Sequence, residues 1–277
     1  MDNNESLGIP NYGPWYINAD EGRKEIEFHI TNKFIIESLK NLNIDINNSK
    51  LEFINYGSME LVYVLKTNDE MYTVLVSQPK TGFGKLHSEY NNLIKLNEKH
   101  KEVIKPLIYL SNNKLKKELY ITQYLYQARC IGINPMYNKW GIWIPEPNYH
   151  YYVLTKEVRK KLNTCMLAEI LRLYDDEEKI GLSEISLGSG DFTLNKNLNS
   201  VKEKDIINSL NLIAARKLIK MDYETYIENL TKELTSDSKR LICKKNLQDK
   251  FTKEEIYDGI KLGNSLRNKD KKLILKK

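Results

Sequence analysis

The chain has 277 residues and a mass of 32.5 kDa, with 41% hydrophobic and 29% charged residues and 18 tyrosines. It can therefore build one large core or two lobes, and wholesale disorder is excluded. No stretch approaches the about 18 apolar residues of a membrane-spanning helix, and three scattered cysteines (Cys130, Cys165, Cys243) argue against a disulfide framework.

The first residues, MDNNESLGIPNYGPW, lack the basic and apolar regions of a signal peptide, so a cytoplasmic location without a membrane partner is expected. The formal net charge is +6, carried mostly by scattered lysines. The basic tail Arg267 to Lys277 reads as a solvated, frayed end, and nucleic acid is not an expected partner.

In chain order, residues 1–22 read as a loosely ordered arm. Helical spacing of Ile26, Ile30, Phe34, Ile35, Leu39 and Leu42 predicts a helix over 24–43. Strands are predicted over 51–56, 61–66 and 72–77, then a helix over 86–99 and strands over 104–111 and 117–124. The stretch 126–152 carries Pro135, Pro145, Pro147 and Gly141 among aromatics and reads as ordered loop and short strands. An amphipathic helix is predicted over 162–174, extended pieces near 183–187 and 192–194, and helices over 205–219, 223–234 and 253–266.

This order of elements resembles the protein-kinase-like superfamily, nearest its aminoglycoside- and choline-phosphotransferase branch, over roughly residues 45–270. The resemblance implies an α+β, two-lobed fold with a small β-rich first lobe and a larger helical second lobe. The expected division is 1–44 (arm and helix), 45–125 (β-rich lobe) and 126–277 (mainly helical lobe with an aromatic insertion over 126–160). ATP and magnesium are the implied cofactors, a small-molecule hydroxyl the implied acceptor.

Residue by residue, INYGSMELVYVL looks like the hairpin that covers phosphates, with Gly57 at the turn and Val62 against adenine. Only one of the three expected glycines is present, and Glu60 stands at another. On the third strand the family keeps a lysine, where this chain has Leu75. The lysine's helix partner is matched by Glu89, and Lys66, Lys80 and Lys85 are the neighbouring cations. Tyr124 falls at the segment that would meet an adenine edge.

The segment IGLSEISLGSGDFTLNKN stands where the family keeps its catalytic loop. In one register Asp191 is the base. In the other Asp191 replaces the metal-binding asparagine, Glu184 or Ser186 lies near the base position and Asp205 is the second metal carboxylate. The bland readings are a turn aspartate at 191 and a helix N-cap at 205.

The block WGIWIPEPNYHYY offers Trp140, Trp143, Glu146 and His150 for a cationic or planar substrate, or as packing of an irregular loop. Cys130 with His150 is the remaining nucleophilic combination. Two functions stay open at this point. One is ATP-dependent phosphate transfer to a small molecule; the other is a catalytically inert pseudokinase or interaction scaffold lacking the strand lysine.

Overall fold

The computed structural model describes residues 21–41, 48–56, 60–68, 70–78, 82–123, 129–134, 139–144, 150–153, 155–183, 189–194, 203–235 and 251–274. The fold is α+β, and the chain divides into two compact units, Met1–Ile94 with Lys105–Tyr126, and Lys95–Ile104 with Gln127–Lys277.

The first unit holds α1 (Glu21–Asn41), β1 (Lys50–Tyr56), β2 (Glu60–Lys66), β3 (Met71–Ser77), the first part of α2 (Leu86–Lys99), β4 (Pro106–Asn112) and β5 (Lys117–Gln123). The strands form one antiparallel sheet in the order β1-β2-β3-β5-β4. Alternation puts Leu61, Tyr63 and Leu65 of β2, Val74 and Val76 of β3, and Leu119 and Ile121 of β5 into one buried cluster. Phe34, Ile35 and Leu39 of α1 belong to that same cluster, so the helix set apart at residue 44 by the sequence reading is part of this unit's core. Tight turns set the register. Between β2 and β3 the Glu70 N–H donates to Thr67 Oγ1 at 3.0 Å, and between β4 and β5 the Leu115 N–H donates to Asn112 Oδ1 at 3.0 Å.

The second unit holds β6 (Arg129–Asn134), β7 (Lys139–Ile144), β8 (His150–Val153), α3 (Lys156–Arg172), β9 (Ile180–Ser183), β10 (Ser189–Leu194), α4 (Glu203–Ile207), β11 (Leu210–Leu212), β12 (Lys217–Lys220), α5 (Tyr223–Thr235) and α6 (Lys253–Ile274). One antiparallel sheet runs β11-β10-β6-β7-β8, and β9 pairs with β12. The segment before β4 lines β11, with the Ile104 N–H donating to Leu212 O at 2.8 Å and the Leu212 N–H to Glu102 O at 3.1 Å.

The helices start where the sequence supplies caps. Thr155 Oγ1 accepts from the Val158 N–H at α3, and Asp222 Oδ1 from the Thr225 N–H at α5. At α6, Thr252 and Glu255 cap each other reciprocally, the Thr252 N–H reaching Glu255 Oε2 at 2.6 Å and the Glu255 N–H reaching Thr252 Oγ1 at 3.2 Å. Helix α3 is the buried centre of this unit. Gly259 and Gly263 let α6 approach it closely: a Cβ on Gly263 would lie 2.9 Å from Leu171 Cβ and 3.0 Å from Ala168 O.

The second unit carries seven of the described strands beside its helices. Three expectations are corrected. The helix predicted over 205–219 is instead α4, β11 and β12. The expected amphipathic helix over 162–174 is buried on every face from Leu162 to Leu171, including Asn163, Thr164 and Glu169. Most of the expected frayed tail is α6, with Arg267 buried. Among the described residues, no helix is long and apolar enough to cross a membrane.

Candidate functional site

The site is built on the hairpin β10–β11. Phe192 faces Leu212, Thr193 faces Asn211 and Leu194 faces Leu210. One step along, the Ile213 N–H donates to the Asp191 carbonyl at 2.9 Å, so Ile213 stands opposite Asp191. The Asp191 side chain is 2% exposed, and Arg216 grips it side-on: Nη1 donates to Oδ2 at 2.5 Å and Nη2 to Oδ1 at 2.7 Å. This is the fork geometry that guanidinium and carboxylate share, a charge-assisted pair of bonds. The next residue, Lys217, opens β12 and pairs with Ser183 of β9. Two consecutive residues thus hold Asp191 and Ser183, both within the expected catalytic segment.

Asp205 is not brought to Asp191. It lies exposed on α4, whose end is closed by Ser209 Oγ donating to the carbonyls of Asp205 and Ile206, both at 2.9 Å. From α4 the chain enters β11 at the Leu194–Leu210 end of the hairpin. Asp191 is at the other end, three residues or roughly 10 Å of strand away. Among the described residues, no group of three or more His, Cys, Asp or Glu side chains is placed to hold a metal ion. Among the described residues, both Asp191 oxygens are on a guanidinium and Ile213 stands across from it, a donor set that does not fit magnesium.

In the first unit Val62 is half-buried on β2, facing Leu75 of β3, and Leu75 in turn faces Tyr120 of β5. Glu89 is buried in the first turn of α2. Its helix is positioned by Glu118, whose Oε2 accepts the Gly84 N–H and whose Oε1 accepts the Tyr109 hydroxyl, both at 2.8 Å. Gly84 has φ +84°, a left-handed conformation that suits glycine. Burial and Glu118 push the Tyr109 hydroxyl up to about 12. A lysine that sequence reasoning did not single out, Lys117, is buried at the start of β5, with Nζ 3.4 Å from Ser77 O.

Trp140 and Trp143 lie on β7, with backbone partners Ile133 and Cys130 on β6, and His150 opens β8 opposite Ile144. Since β7 runs between β6 and β8, Cys130 and His150 are two strands apart and do not form a neighbouring pair. Gly57, Lys80, Tyr124, Glu146 and Glu184 lie outside the described residues.

Among the described residues, two further charge clusters in the second unit centre on arginines. At the end of α3, Arg172 reaches Glu102 (3.2 Å), Glu169 (3.5 Å) and Asp270 (2.6 Å), and His100 Nδ1 lies 3.4 Å from Glu102. Burial and the neighbouring Glu102 raise the Glu169 carboxyl to about 8. Burial opposes ionisation of Glu102 as well, but the His100 hydrogen bond and Arg172 outweigh it and hold that carboxyl at about 2. The pair therefore shares one proton across the neutral range. In the other cluster Arg267 pairs with Asp176 and lies 3.4 Å over the Tyr223 ring centroid, with Tyr174 at 5.3 Å.

Arg216, Arg172 and Arg267 were all missed as centres of charge. One compositional signal was available: the chain has 36 lysines and only 7 arginines. Where lysine is so strongly preferred, an arginine marks places where a planar fork is needed and an ammonium will not serve.

No protein-family model matches the chain, and no curated protein matches it. Solved structures do match at low identity. One is WaaP in complex with acyl carrier protein, at 9% identity and TM-score 0.41, over 78% of this chain and 80% of that one. Another is the kinase PK-1 of Cydia pomonella granulovirus, at 13% identity and TM-score 0.38, over 66% of this chain and 57% of that one.

Proposed function

We propose that the chain is an inert relative of the kinase-like phosphotransferases, a scaffold in which the aspartate expected to carry chemistry has become structural. The observation that carries the reading is the use of both Asp191 oxygens by Arg216. A base must direct a lone pair at a hydroxyl, and a metal ligand must direct one at the ion. Here one guanidinium donates a bond to each oxygen. Leu75 supports the same reading, since an aliphatic side chain on β3 offers no charge to a phosphate oxygen. Losing one preorganised contact of that kind costs about 2.7–4 kcal/mol of transition-state stabilisation, roughly 100- to 1,000-fold in rate.

The test is ATP turnover with magnesium and a panel of hydroxyl acceptors, comparing the native chain with Asp191→Asn. Equal, background-level rates are expected; magnesium-dependent turnover that vanishes in the variant would overturn the proposal.

The active alternative, phosphate transfer from ATP to a small-molecule hydroxyl, draws on two buried groups. Glu89 is buried on α2, and Lys117 is buried on β5, the strand beside β3. It predicts turnover that Lys117→Met abolishes while the far-ultraviolet circular dichroism stays unchanged.

A further inference from the structure

The disagreement between this site and a bound divalent ion has a specific source. Asp191 is almost wholly buried, and an ionised carboxylate there needs a cation close by. In the chemistry expected from the sequence that cation is a metal. Here a cation is already supplied by the chain.

Its delivery is fixed by the backbone. Arg216 lies between β11 and β12, after the buried Ala215 and directly before Lys217, which is held in register opposite Ser183. Ile213, at the other end of this short connection, is bonded to the Asp191 carbonyl. The guanidinium therefore arrives on a tether anchored at both ends, and its side chain is only 18% exposed. A magnesium ion asks for about six oxygens in near-octahedral array. The residue across the hairpin from Asp191 is Ile213, and the nearby Asn211 turns its amide nitrogen to Ser209 O at 3.2 Å.

We infer that the Arg216 guanidinium is the resident cation of Asp191, occupying the place of a divalent metal and keeping one out. The inference rests on the kinase-like reading for the role it assigns to that place. Both Asp191 oxygens accept a bond from a cation of the chain itself, so no Asp191-dependent magnesium site is expected.

The probe is Mn²⁺ alone, read by paramagnetic resonance of the bound ion and by thermal unfolding. It is applied to the native chain, Asp191→Asn, Arg216→Ala, Arg216→Gln and the double variant Asp191→Asn with Arg216→Ala. The native chain and Asp191→Asn should bind Mn²⁺ equally, with no Asp191-dependent site. Arg216→Ala should unfold at lower temperature and acquire an Mn²⁺-dependent rise of several degrees at saturating metal, absent from the double variant. Arg216→Gln, which removes the charge but keeps an amide donor, serves if the alanine variant does not fold. Native Mn²⁺ binding that Asp191→Asn abolishes would overturn the inference, and so would a folded charge-removed variant that gains no response to Mn²⁺. Failures are separable. Asp191-dependent metal binding without turnover removes this inference and leaves the inert reading. Turnover that persists in Asp191→Asn removes the inert reading and leaves this inference.

Discussion

Asp191→Asn takes the negative charge away from the Arg216 guanidinium while keeping the side chain's shape. Breaking a buried pair by neutralising one partner costs roughly 3 kcal/mol, somewhat less where the other partner still touches solvent, as Arg216 does. The urea midpoint should fall accordingly. In a double-mutant cycle with Asp191→Ala and Arg216→Ala, the combined loss should be smaller than the sum of the single losses by about 1 kcal/mol or more. Arg267→Lys keeps a charge beside Asp176 but loses the planar face over Tyr223; a loss of about 1–2 kcal/mol is expected from chemical denaturation. At this scale helical spacing placed Glu89 on α2, its burial did not show in that spacing, and nothing local marked Arg216. The partner of Arg216 is 25 positions away, and no local period registers such a pairing.

Helix α6 meets α3 at glycines, and the contact is tight enough to test with one methyl group. Gly263→Ala would press a Cβ against Leu171 Cβ and the Ala168 carbonyl, at about 3 Å from each, and backbone has little room to give. Although alanine is the better helix former, overpacking should dominate and destabilise by about 1–3 kcal/mol, seen as a lower melting temperature. The elements up to residue 123 were legible because their apolar residues keep a clean period. Strands β2, β3 and β5 alternate against one face of a sheet, and α2 begins at Leu86 and ends at Lys99 as its spacing predicts. Residues 205–219 were not legible in the same way. Their apolar residues, Leu210, Leu212 and Ile213, suit a buried strand as well as a helix, and Ser209 stops α4 by turning its hydroxyl onto the preceding carbonyls. Helix α3 misled in the other direction. Its spacing predicts an amphipathic helix, yet α3 is buried from Leu162 to Leu171, Asn163, Thr164 and Glu169 included.

For the whole molecule, the shared proton of Glu102 and Glu169 sets a pH dependence whose sign follows from linkage. Glu169 has a folded value of about 8, above the ordinary 4.5, so between those limits the native state holds a proton that the unfolded chain has released. Its contribution is complete below about 4.5 and is lost as pH rises through 8. Glu102, held at about 2, is ionised in both states across that window and adds nothing to the slope. The melting temperature should therefore decline from pH 5 to pH 8, and Glu169→Gln, neutral at every pH, should flatten the decline. A profile with the same slope in the variant would assign the effect to other groups. None of this was visible in composition, because it depends on α3, α6 and the segment before β4 bringing Glu169, Arg172, Asp270, Glu102 and His100 together.

The adjacent grips of Arg216 on Asp191 and of Lys217 on Ser183 also bear on how this chain can change over time. They tie β9 and β10 to one short connection, so a change at Arg216 or Lys217 reaches both strands at once. In chains descended from this one an aspartate and an arginine 25 positions apart should stay matched, since losing either leaves the other a buried charge without its counter-ion.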